Sequence, residues 1–131
     1  MSEAELARLG EVLGEVERDG SESRDAVAVF RLLALTGCRV SEIRTLRWEE
    51  VDFENACLRL RDSKTGPKTV TLNAPALEVL TKRNRNGEWV FPVRRGRGPL
   101  PTLQRPWERI RQRAGLPDLR MHDLRHSFAS V

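Results

Sequence analysis

The sequence predicts an α+β fold that is mainly α, and three observations carry that expectation. Apolar residues recur at helical spacing through most of the chain. Only one stretch alternates at period two, and it does so on both sides of a turn. The chain has 131 residues, 39% of them apolar, enough for one compact unit with a core, and it shows no internal repeat or second domain.

The elements follow in order. Ser2 and Glu5 have capping-box spacing, and Leu6, Leu9, Val12, Leu13 and Val16 then repeat at helical period until Asp19-Gly20. After the polar break S-E-S-R-D comes A-V-A-V-F-R-L-L-A-L, apolar nearly all round, as a helix inside a core would be. Gly37 is placed to cap that helix in the left-handed conformation. T-G-C-R-V-S-E-I then opens a third helix, with Ser41 as the expected N-cap, Glu42 in its first turn and Arg39 at the junction. From Ala56 the period changes. C-L-R-L-R alternates, D-S-K-T-G-P-K is turn chemistry and T-V-T-L alternates again, which makes a β-hairpin with its tip near residues 64–67. Trp48, Val51 and Phe53 are expected in the core or on the ledge before the sheet. Pro75 suits the first turn of a helix running to Arg83. W-V-F-P is a short apolar piece, and R-R-G-R-G-P-L-P reads as a flexible basic loop. Trp107, Ile110 and Ala114 form one stripe of a helix otherwise lined by Arg105, Arg109, Arg111 and Arg113, and Gly115-Leu-Pro ends it. A last helix begins near Met121.

Composition bounds the function. No apolar run approaches the roughly 20 residues of a membrane span, and the acidic start M-S-E-A-E-L-A does not resemble a signal peptide. The expected setting is cytoplasmic and, given the charge, nucleoid-associated. Cys38 and Cys57 lack C-x-x-C spacing, so they are expected as small core residues rather than zinc ligands or a disulfide. Residues 1–80 carry 11 Lys/Arg against 15 Asp/Glu, whereas residues 81–131 carry 12 against 4. Of the 23 cations 20 are arginine, whose planar fork pairs with phosphate oxygens. A polyanion is the expected partner, and Arg94, Arg95, Arg97, Arg105 and Arg109 are the candidate DNA-binding residues.

Four places carry candidate chemistry: Arg39, Lys64 in S-K-T-G, and His122 with Arg125 in H-D-L-R. Taken singly, each is an ordinary surface residue. His122 and His126 have the i, i+4 spacing of a metal pair, but the glutamate of H-E-x-x-H and a third ligand are lacking, so no metal and no cofactor is expected.

In order along the chain, A-L-T-G-C-R-V-S-E-I-R-T-L-R-W-E-E-V-D-F, S-K-T-G-P-K-T-V-T-L, V-F-P and H-D-L-R-H-S-F-A-S resemble the tyrosine recombinase (phage integrase) family, across nearly all of the sequence. The resemblance implies a helical catalytic domain with a small antiparallel sheet, a fold shared with type IB topoisomerases. It implies double-stranded DNA as partner and a DNA-cleaving site that includes Arg39, Lys64, His122 and Arg125. Glu42 is expected to orient Arg39 or cap its helix, and His126 to hydrogen-bond behind the site. Lys68 competes with Lys64 for the hairpin role, and the S-K-T-G match favours Lys64.

These residue types suit the implied chemistry. When a phosphodiester is attacked, charge grows on its two non-bridging oxygens, and two guanidiniums can hold that charge without a metal. The lysine would protonate the leaving 5′ oxygen, while the histidine would hydrogen-bond the phosphate or assist proton transfer. One such donor is worth on the order of 3 kcal/mol of barrier.

The family's nucleophile is a tyrosine downstream of H-x-x-R, and this sequence contains no tyrosine. The family's amino-terminal DNA-clamping domain has no counterpart either. Residues 1–131 are therefore expected to be a partial catalytic domain, inactive alone, that serves recombination or integration through a phosphotyrosine intermediate in the complete protein. A homo-oligomer on DNA is compatible with that expectation, since terminal helices of the family pack on neighbouring subunits. The alternative is a non-catalytic DNA-binding or regulatory fragment gripping phosphates through residues 94–113.

Overall fold

The computed structural model describes residues 2–61 and 66–130, without the side chains of residues 126–130. Helix α1 (Glu3–Asp19) starts at the expected capping box: the Ser2 hydroxyl accepts from Glu5 N–H, and the Glu5 carboxylate accepts from Ser2 N–H. It ends at Gly20, whose φ of 77° takes the left-handed turn. Helix α2 (Arg24–Thr36) is the central element. Its Ala26, Val27, Phe30, Leu32 and Leu33 are buried, and α1, α3, α4 and α6 all pack on it, which is why the sequence needs it apolar nearly all round.

Helix α3 (Val40–Arg44) corrects one expectation. Its N-cap is Arg39 rather than Ser41, because Glu42 reaches back to accept the Arg39 N–H at 2.8 Å, while Ser41 lies exposed inside the helix. A single 3₁₀ turn (Trp48–Glu50) then leads into the sheet.

The sheet has three strands in the order β1 (Val51–Asp52), β2 (Cys57–Leu60) and β3 (Lys68–Thr71), all antiparallel. The expected hairpin is β2–β3; the two-residue β1 is an addition, too short to leave an alternating pattern. Register pairs Leu58 with Val70 and Leu60 with Lys68, so Lys68 lies on the same face as the buried leucines. The expected tip residue Lys64 lies outside the described residues.

Helix α4 (Ala74–Thr81) has the expected Pro75 in its first turn but stops short of Arg83. Arg83 instead pairs with Asp25 on α2 and lies over the Phe91 ring, 4.5 Å from its centroid. The basic segment is also more ordered than a flexible loop. Val93 N–H donates to Gly98 O at 2.9 Å, Leu100 N–H donates to Phe91 O at 2.7 Å, and Gly96 and Gly98 supply positive φ, so residues 93–98 form a closed finger. Helix α5 (Gln104–Arg113) buries Trp107 and Ile110 as expected; the Trp107 ring lies 5.2 Å from Phe30, and its indole N–H donates to Leu119 O. Helix α6 (Met121–Ser130) returns to α2 and buries Leu124 completely. Both cysteines are buried and free, as expected of small core residues. No described helix is long and apolar enough to cross a membrane.

Ala56, between β1 and β2, has φ 52°, a left-handed conformation that disfavours a Cβ. Ala56→Gly is expected to raise stability by roughly 0.5–1 kcal/mol, once the entropy glycine adds to the unfolded chain is deducted, read as a higher urea midpoint. A lower midpoint would contradict this account of the turn.

Candidate phosphate-binding site

The T-G-C-R turn between α2 and α3 is hydrogen-bonded throughout. Gly37, at φ 71°, donates its N–H to Leu33 O; the Thr36 hydroxyl donates to Leu32 O at 2.6 Å and accepts from Cys38 N–H at 3.2 Å. Cys38 is buried beneath the turn, and Arg39 leaves it with extended backbone at the start of α3. Short-range bonds thus fix where the Arg39 side chain begins, before any ligand arrives.

Glu42 holds the other side of this junction. Its side chain is only 5% exposed, and beyond the Arg39 N–H it meets Lys68 of β3, whose Nζ lies 3.0 Å from Oε1 and 2.9 Å from Oε2. Burial works to raise its pKa, but the Arg39 N–H, the Lys68 hydrogen bond and the charges of Lys68 and Arg39 outweigh it and hold the carboxyl below the usual carboxylate range. The expected roles of Glu42 resolve as helix capping, with Lys68 as its ion-pair partner.

Arg125 comes from the other end of the chain. Helix α6 packs on α2, and Arg125 lies close enough to Cys38 for its charge to act on the thiol. Burial pushes the Cys38 thiol up, the Thr36 contact opposes this, Glu42 adds to the rise, and Lys68 and Arg125 pull it down. Arg125, Lys68 and Glu42 therefore share one electrostatic neighbourhood centred on the residue next to Arg39.

The arginines sort sharply by what they touch. Seven are half-buried: Arg31, Arg39, Arg44, Arg47, Arg83, Arg111 and Arg125. Arg31, Arg47 and Arg83 pair with carboxylates, while Arg44 and Arg111 donate to the backbone oxygens of Leu100 and Leu119. Among the described residues, only the guanidiniums of Arg39 and Arg125 in that set have no protein hydrogen bond or ion pair. Guanidiniums that no protein group engages remain available to an external anion.

The other expected site residues fall as follows. His122 is exposed in the first turn of α6, where Asp123 accepts from Arg120 N–H. His126 lies on α6, its side chain outside the described residues. Arg94, Arg95 and Arg97 are exposed on the closed finger, and Arg44 ties the base of that finger to α3 through Leu100 O at 2.8 Å. Arg105 is exposed at the start of α5. Arg109 is engaged by protein: its guanidinium forks onto Glu22, a carboxylate with 4% of its side chain exposed, at 2.7 and 2.8 Å. The pairing of Lys68 with Glu42 was not anticipated. The sequence signal for it is parity, since Lys68 shares a strand face with Val70 and Leu72.

A helical domain with a small three-stranded antiparallel sheet is the fold of tyrosine recombinase catalytic domains, as solved structures show. The crystal structure of XerA recombinase superposes with a TM-score of 0.75 at 24% identity, covering 99% of this chain and 47% of that one. XerH site-specific recombinase bound to difH substrate gives 0.77 at 23% identity, covering 99% and 41%. The pattern of the phage integrase family matches residues 1–131, and the chain belongs to that family. Prophage integrase IntF of Escherichia coli (strain K12) is 32% identical over 114 residues, 81% of this chain and 24% of that protein. Tyrosine recombinase XerA of Pyrococcus furiosus is 30% identical over 139 residues, 99% of this chain and 46% of that protein. The chain thus spans less than half the length of these relatives.

Since the folded-state pKa of Glu42 is depressed, its stabilising contribution is fully present above the ordinary carboxylate pKa and is lost as pH falls through the folded value. Glu42→Gln is therefore expected to unfold at lower urea than the parent at about pH 7, with the gap closing towards about pH 3. A gap of constant size across that range would refute the assignment.

Proposed function

We propose that this chain is the phosphate-gripping part of a site-specific DNA recombinase or integrase, in which Arg39 and Arg125 clamp the two non-bridging oxygens of one DNA phosphodiester. The observation that supports this reading is the pair of half-buried guanidiniums left without protein partners among the described residues, one next to Cys38 in sequence and the other close enough for its charge to act on the Cys38 thiol. In the family reading, a tyrosine hydroxyl attacks phosphorus, the 3′ side of the strand becomes a phosphotyrosine ester, and the 5′ oxygen leaves. Charge that grows on the non-bridging oxygens is held by the two arginines. Lys64 would give the leaving oxygen its proton, and His122 would bond the phosphate or pass a proton. This sequence contains no tyrosine, so in this reading these residues supply the phosphate clamp and not the nucleophile.

Duplex affinity in this reading is spread more widely than the clamp. The finger carries Arg94, Arg95 and Arg97 into solvent, and Arg105 extends the basic surface. These residues suit sequence-independent contact with the phosphate backbone. Arg109 contributes less, because its fork already neutralises a buried carboxylate.

Two experiments test the proposal. The chain should bind duplex DNA with an affinity that falls steeply with salt, at a slope of about −0.9 per phosphate contacted, and alanine at Arg94, Arg95 and Arg97 together should flatten that slope. A salt-independent affinity would contradict a DNA role. In a polypeptide that continues this chain through a downstream tyrosine, Arg39→Ala or Arg125→Ala should abolish the covalent protein–DNA adduct, a loss of about 10²-fold or more, and leave most duplex affinity. Adduct formation at the parental rate in either variant would refute the clamp. No adduct even from the parent polypeptide would favour a non-catalytic DNA-binding fragment.

A further inference from the structure

We propose that Lys68 is a positioning residue for Arg39: it occupies the buried Glu42 carboxylate and so keeps the Arg39 guanidinium free for a phosphate. The inference rests on the clamp reading above and adds a residue to it.

Lys68 opens β3 opposite Leu60, on the inward face of the sheet, where a cation is unexpected. Its side chain is 29% exposed, and its ammonium meets both oxygens of a carboxylate that is 5% exposed. That carboxylate also caps the Arg39 N–H, so it lies at the root of the arginine whose fork is unpaired. An ionised carboxylate this far from water needs a cation. Two are within electrostatic reach of it, Lys68 and Arg39, and the fork of arginine is the better geometric match to a carboxylate. Lys68 nevertheless holds the contact, and the Arg39 guanidinium makes none. Remove the ammonium, and Glu42 must either draw in the Arg39 fork or take up a proton. The first outcome would fill the phosphate clamp with the protein's own carboxylate.

The test uses the whole 131-residue chain with ¹⁵N-labelled arginine, following the Arg39 and Arg125 Nε–Hε signals by NMR while inorganic phosphate is added. The parent is expected to show both signals shifting together. Lys68→Met should weaken phosphate binding at Arg39 about tenfold, the scale of one charge-assisted hydrogen bond, whereas Lys68→Arg should keep it within about twofold. Without phosphate, the Arg39 signal in Lys68→Met should follow the titration of Glu42, with Cys38, Lys68 and Arg125 the other ionisable groups of that neighbourhood; in the parent it should not. Lys82→Met, which removes a lysine that pairs with exposed Glu78, controls for the loss of one positive charge.

Should Lys68→Met fail to fold, Lys68→Met/Glu42→Gln removes both charges, and phosphate binding at Arg39 should be recovered because no carboxylate competes. A double variant still weakened tenfold would mean that Lys68 binds the anion itself, and would overturn the proposal. So would a Lys68→Met variant no different from Lys82→Met. Failure of the clamp reading looks different: in that case the parent's own Arg39 and Arg125 signals would ignore phosphate.

Discussion

The Glu42 carboxylate is the contact on which the arrangement of this site depends. Withdrawn from water, it accepts a backbone N–H from the start of α3 and an ammonium from β3, and so joins the helical layer to the sheet at one point. A buried charge pair of this kind contributes little net stability against an apolar alternative, but breaking it is expensive. Its value here is geometric. It holds the junction residue Arg39 in place and couples that residue to the strand that follows the hairpin tip.

Two elements far apart in the chain frame this contact. The T-G-C-R turn is pinned by the Thr36 hydroxyl and by the left-handed Gly37, and α6 is pinned by burial of Leu124 against the central helix α2. The two arginines carried by these elements are therefore set by packing rather than by each other. The other half-buried arginines are each engaged by a carboxylate or a carbonyl.

Much of the fold was legible in the sequence because local rules and tertiary demands agree. The capping box at Ser2, the glycines at 20 and 37 and the period-two runs around the hairpin all specify the same structure at both levels. The departures arise where a long-range partner decides. Arg39 rather than Ser41 caps α3 because Glu42 turns back on it, and α4 ends early while Arg83 turns to Asp25 and Phe91. The basic finger read as a loop because its closing bonds are backbone to backbone and leave no side-chain signature. In the site, motif order singled out Arg39 and Arg125. It could not separate Arg109, committed to Glu22, from arginines open to solvent, because Glu22 is 87 residues away in the chain. Lys68 was visible as a rival to Lys64, but strand parity was the one clue to its pairing with Glu42.

The central claim is that two guanidiniums from opposite halves of the chain serve a single phosphate. Crystals of this chain soaked in tungstate, a heavy phosphate mimic, test it most directly. The account predicts one anion within hydrogen-bonding distance of both Arg39 and Arg125; anions bound to each arginine separately, or only on the finger at residues 94–97, would contradict it.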